Sequence, residues 1–132
     1  MRTLQEHEHL LALDISLDHL DAALRDPHGT WIIPQRRYTN NWPGFQQLLR
    51  DLRTALAAAD GEVHLTTAAE STANYWWHIF YHLSTHSACQ DWHPTLALLN
   101  PHHVKRFRQA QPEADKDDAT DAQLMGRYYE SL

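Results

Sequence analysis

The segment Leu10–Ser16 (LLALDIS) sets a single acid, Asp14, inside an otherwise apolar run. Its length and pattern predict a buried strand. A carboxylate held in a buried strand is costly unless it is paired or bound to something. Whatever fold the chain adopts must therefore bring a partner to Asp14.

The rest of the chain alternates strand-like and helix-like stretches. Leu17–Arg25 fits helix or strand by periodicity alone, but the Asp26-Pro27-His28-Gly29 cluster that follows marks a tight turn. Trp31–Ile33 and Arg37–Thr39 read as a returning strand, so 18–25 and 30–39 are expected to form a hairpin. Asn40-Asn41-Trp42-Pro43 supplies a helix cap and a proline suited to the first turn. Phe45, Leu48, Leu49, Leu52 and Leu56 then recur at helical spacing through Ala59, where Asp60-Gly61 ends the helix.

Glu62–Ala69 is the next expected strand and delivers Glu70 at its C-terminal end. Ser71-Thr72 are expected to cap a helix running to about Ser87, with Tyr75, Trp76, Ile79, Phe80 and Leu83 as its packing stripe. Pro94–Leu99 reads as a further short strand, His102–Gln111 as a basic helix, and the stretch from about Asp117 to Tyr129 as a last helix with aspartates crowding its start. Strands interleaved with helices, without repeat or linker, predict one α/β domain over 1–132.

Composition narrows the function classes. No apolar run approaches the roughly 20 residues of a spanning helix, and the N-terminus lacks the basic-then-apolar layout of a secretion signal. The lone Cys89 excludes an internal disulfide framework and fits a reducing cytoplasm; it reads as a small packing residue. The net charge of −6 argues against a nucleic-acid partner. Two bound Mg²⁺ would offset four of those charges, and the cations are grouped in Arg36–Arg37 and in Lys105, Arg106 and Arg108.

Histidine is frequent, at 11 residues, and His78, His82 and His86 recur every four. That spacing spans about 12 Å along a helix, too far for one tetrahedral zinc ion. They are expected to form an exposed polar stripe.

Four carboxylates stand where strands and helices present them. Asp14 lies in the first strand, Glu70 ends a later one at a strand-to-helix junction, and Asp118 and Asp121 lie three apart at the opening of the last helix. Hard oxygen donors without cysteine match Mg²⁺ or Mn²⁺. Two such ions, about 3.5–4 Å apart, cleave phosphodiesters in line. Spacing alone leaves open that Asp14 is a hairpin residue and that Asp118 and Asp121 merely cap a helix.

Five pieces of the sequence carry a resemblance: LDIS around Asp14, NNWPGFQQLL at 40–49, AAESTANY around Glu70, LLNPHHVKRF at 98–107 and KDDATDAQLMGRY at 116–128. In this order and spacing they resemble the N-terminal domain of the DEDD-type insertion-sequence transposases, the family that includes the pilin-gene invertase. The resemblance implies a RuvC-like, ribonuclease H-like fold, with a mixed five-stranded sheet flanked by helices. It implies catalytic metal ligands at Asp14, Glu70, Asp118 and Asp121, with Mg²⁺ or Mn²⁺ (two ions) as cofactor. The family's Lys-(Thr/Ser)-Asp-x-x-Asp-Ala pattern lands on Lys116 to Ala122, so Asp117 replaces a small hydroxyl residue and competes with Asp118.

The implied partners are DNA, a structured guide RNA in some members, a serine-containing C-terminal domain that falls outside this chain, and further copies of the full-length protein. The implied location is the bacterial cytoplasm, at the nucleoid. Lys105, Arg106, Arg108 and Lys116 are the expected phosphate contacts, against a solvated basic helix. The expected function is DNA cleavage and transfer; the alternative is a ribonuclease H-like module that binds nucleic acid or protein without cutting.

Overall fold

The computed structural model describes residues 7–59, 61–70, 75–112 and 121–132. Its sheet has five strands: β1 (Glu8–Ile15), β2 (His19–Arg25), β3 (Trp31–Thr39), β4 (His64–Glu70) and β5 (Thr95–Leu99). Their order is β3-β2-β1-β4-β5. The first three form an antiparallel meander, and β4 and β5 add parallel to β1. This is the expected mixed sheet, and the expected hairpin is β2–β3. Between those strands the Asp26 carboxylate accepts from the amides of His28 and Thr30, 2.9 Å each, and Gly29 takes φ +94. That is the local chemistry of a tight turn.

The helices are α1 (Trp42–Ala57), α2 (Trp77–Thr85), α3 (Ser87–Gln90), α4 (Pro101–Ala110) and α5 (Asp121–Ser131). Side chains alternate across a strand, so β1 divides the core between two layers. Leu11 and Leu13 pack with Leu65 and Ala69 of β4, with Phe45, Leu48 and Leu52 of α1, and with Ile79 and Leu83 of α2. On the other face Leu10 joins Ala68, Leu99, Val104 of α4, and Met125, Tyr128 and Tyr129 of α5. No helix of the described residues is long and apolar enough to cross a membrane.

Two expectations need correction. The single helix expected to end near Ser87 is broken at His86, which is extended (φ −65, ψ 131), and α3 starts anew after it. The physical cause is local competition for backbone groups. Ser84 and Thr85 both donate to the Tyr81 carbonyl, at 2.9 and 2.7 Å, while the His86 imidazole accepts from Ala88 N at 3.1 Å. The cap expected at Ser71-Thr72 lies outside the described residues.

The histidine stripe is also not exposed. His78, His82 and His86 are half-buried, because α1 and α2 share one face of the sheet. His82 packs its ring 4.9 Å from Trp42 and 5.2 Å from Phe45. Desolvation there, with the neighbouring His78 and His86, holds the His82 imidazole below its usual pKa.

Helix α5 crosses β1 closely because of Gly126. A Cβ there would sit 2.9 Å from the end of the Trp31 ring and 3.4 Å from Ala12 Cβ. Arg25 pairs with Glu130 at the far end of the helix, and Gln123 donates to the Pro34 carbonyl at 2.7 Å. Gly126→Leu is expected to lower stability by roughly 2–3 kcal/mol through overpacking. A urea midpoint unchanged from wild type would show that α5 has room to spare.

Candidate metal centre

Strand register builds the site. In the parallel β1–β4 pair Glu8 lies opposite His64 and Leu13 opposite Ala69, so one step further Asp14 is level with Glu70. On the other side Asp14 pairs with Asp21 of β2, and Asp21 with Arg37 of β3. A single rung of the sheet therefore reads Arg37, Asp21, Asp14, Glu70. By alternation the two β1 and β4 carboxylates project with Leu10 and Ala68 toward the α4–α5 layer. Neighbouring strands stand about 4.8 Å apart, and like charges directly opposite are unfavourable.

The rung is partly neutralised from one end. Arg37 Nε and Nη2 donate to the two oxygens of the buried Asp21 at 2.9 and 3.1 Å, a bidentate pair that fixes this acid. Nothing in the local sequence marked Asp21 and Arg37 as partners. Their pairing depends on register between two strands whose hairpin alone was foreseeable.

Asp14 is half-buried, and its carboxyl is held above the usual range. Burial is the main cause, followed by the charges of Asp121 and Glu70; Arg108 acts in the opposite direction. Asp14, Glu70 and Asp121 thus lie within electrostatic reach of one another although 107 positions separate the first from the last. Asp121 is exposed in the first turn of α5, where the helix dipole favours an acid. Asp118, Asp117 and Lys116 lie outside the described residues.

The basic residues of α4 divide. Val104 is buried, and Phe107 packs 5.5 Å from the Tyr128 ring. Positions 104, 107 and 108 share one helix face, so Arg108 turns inward while Lys105 and Arg106 stay exposed. Arg108 Nη2 lies 3.8 Å from Asp121 Oδ1, and its Nε is buried without a hydrogen-bond partner among the described residues.

The donor chemistry of Asp14, Glu70 and Asp121 fits a hard divalent cation: all are carboxylates, and Asp14 is penalised for its own charge. Their spacing is not that of a finished site. Among the described residues no three acidic, histidine or cysteine groups stand so as to hold a metal ion. A cavity of about 230 Å³ lined by His7, His9, Asp26 and His28 lies where β1 begins, at the opposite end of the sheet from the acids. Cys89 is buried and its thiol is pushed up to about 11 by desolvation, so it stays protonated at neutral pH.

A family model for DEDD transposases of the IS110 type, described as "Transposase", matches residues 11–130. No curated protein matches the sequence. Among solved structures, the chain is similar to T. thermophilus RuvC in complex with Holliday junction substrate. The TM-score is 0.51 at 12% identity, covering 93% of this chain and 94% of that one. A weaker likeness, with a TM-score of 0.41 at 10% identity, is to an Aquifex aeolicus member of the Ppx/GppA family, over 76% of this chain and 38% of that one. At these identities the likeness is one of fold, and with RuvC it gives the ribonuclease H-like architecture.

Proposed function

The chain belongs to the IS110-type DEDD transposase family, and on that premise we propose that it is the metal-dependent DNA strand-cleaving and strand-transfer domain of such a transposase. Asp14, Glu70, Asp118 and Asp121 are its proposed catalytic carboxylates and hold Mg²⁺ or Mn²⁺, two ions in this reading. The observation that carries it is the shared rung of Asp14 and Glu70, projecting toward the layer whose α5 begins at Asp121. Bound divalent cations supply the positive charge on which in-line phosphodiester cleavage depends.

The chain's own residues do the positioning. The sheet fixes Asp14 and Glu70, and the Arg37–Asp21 pair offsets part of the negative charge that the neighbouring acid adds. Lys105 and Arg106, exposed on α4, and Lys116 are the proposed contacts to DNA phosphates. Branched DNA is the proposed substrate class, by likeness to RuvC, whose structure holds a Holliday junction substrate. The complete enzyme in this reading adds a second, serine-bearing domain, self-association and a structured guide RNA, and works in the cytoplasm at the nucleoid.

A second reading, a module that binds nucleic acid or protein without cutting, has one observation in its favour: Arg108 stands beside Asp121, where a metal ion would otherwise bind. The test is Mn²⁺ titration by calorimetry, with Asp14→Ala and Asp121→Ala as controls, followed by nicking of branched DNA in Mn²⁺. Metal uptake lost in both variants, with nicking, supports the proposal. Equal uptake by all three proteins sinks the metal site, and uptake without nicking favours the second reading.

A further inference from the structure

Arg108 is the one described cation that enters the acidic cluster from the helical layer, and its geometry is unlike that of a phosphate-binding surface residue. Its Nη2 is 3.8 Å from Asp121, and its Nε–H is shielded from water with no acceptor among the described residues. A buried donor left unmade costs free energy, so something outweighs that cost. Its charge also acts favourably on ionised Asp14, on the other side of the cluster.

Resting on the metal-centre reading above, we propose that Arg108 is a built-in counter-cation: it holds the metal-free acidic cluster together and competes with the divalent cation for it. The argument is electrostatic. The charges of Asp121 and Glu70 add to the cost of ionising Asp14, and among the described residues α4 and α5 supply no other cation that an ion pair connects to Asp121. A guanidinium beside Asp121 lowers that cost but cannot bridge three carboxylates as a small divalent ion does. It therefore offsets part of the negative charge without bringing the acids to a single point. A cation that draws the acids together must displace the guanidinium from Asp121. The released side chain, with its unmet Nε–H, is then positioned on the inner face of α4 to take a phosphate oxygen.

The test compares Mn²⁺ affinity by calorimetry, and thermal unfolding without metal, in wild type, Arg108→Ala, Arg108→Lys and Asp14→Asn. Arg108→Ala is expected to bind Mn²⁺ about two- to fivefold more tightly, the range a partly exposed ion pair supports. It should also unfold at lower temperature without metal, and added Mn²⁺ should recover the loss. Arg108→Lys, which keeps the charge, should stay near wild type in both measurements.

Equal or weaker Mn²⁺ binding by Arg108→Ala overturns the proposal. So does a loss of stability in Arg108→Ala that Mn²⁺ does not recover, since lost packing alone would produce it. Should Asp14→Asn bind Mn²⁺ as wild type does, the metal centre itself is misassigned and this inference falls with it. Should Asp14→Asn lose binding while Arg108→Ala is unchanged, the metal centre stands and only the role of Arg108 falls.

Discussion

Gly44→Ala is expected to cost about 3 kcal/mol, at the upper end of what overpacking does. A Cβ at this position would lie 1.7 Å from the Thr39 carbonyl oxygen and 2.7 Å from the Thr39 carbonyl carbon. Both are backbone atoms, so no rotamer change relieves the clash. The φ of Gly44 lies outside the left-handed region; its requirement is space, not dihedral freedom.

The same corner carries the cap of α1. The Asn41 side chain accepts from Gly44 N at 2.9 Å and from the Thr39 hydroxyl at 2.7 Å. Making room for a methyl group pulls the helix start off the end of β3, loosens both bonds and unseats Phe45 and Leu48 behind it. The gain in helix propensity from alanine, about 1 kcal/mol in a helix interior and less in this first turn, offsets only part of this. Chemical denaturation at constant slope measures the result. An unshifted midpoint would mean that α1 does not approach β3 so closely.

Asp14→Asn should act in opposite directions on stability and activity. The Asp14 carboxyl is held above its usual pKa by burial, by Asp121 and by Glu70. A carboxyl whose folded-state pKa exceeds its unfolded value binds its proton more tightly in the fold. Its ionisation therefore penalises the fold. Metal-free wild type should lose stability as pH rises from the ordinary value of 3.8 through the raised folded value. The loss is complete above that window and absent below 3.8.

The Asp14→Asn protein keeps the shape of the side chain and escapes this loss, so without metal it should melt at a higher temperature than wild type at neutral pH. Its cleavage should fall by at least about 100-fold, since even outer-shell partners of metal ligands cost 10–100-fold. Mn²⁺ should raise the melting temperature of wild type and leave the variant unmoved. Parallel pH–stability curves for the two proteins would remove the repulsion account, whatever the activity.

Much of the site was legible residue by residue. Asp14 stood out because an acid inside LLALDIS has no cheap explanation, and Glu70 because a strand ended on it at a turn into helix. Asp121 sat at a helix start, where the described structure keeps it. The choice between Asp118 and Asp117 falls on residues outside the described ones. The Asn41 cap, the β2–β3 hairpin and the apolar stripe of α1 were equally readable, because each depends on neighbours within a few positions.

What the sequence determined by itself was most of the elements, the family and which acids deserved attention, since short-range chemistry and periodicity govern those. Only the tertiary structure decided who meets whom. Register places Asp14 level with Glu70 and sets Asp21 against Arg37, and a one-residue slip would have sent them to opposite faces. The docking of α1 beside α2 turned an expected polar histidine stripe into a half-buried cluster of tilted rings. The docking of α4 separated Arg108 from Lys105 and Arg106 and put its charge among the acids. Pairings between residues 13 to 107 positions apart are set by packing and Coulomb interactions across the whole core, and no local pattern in the chain encodes them.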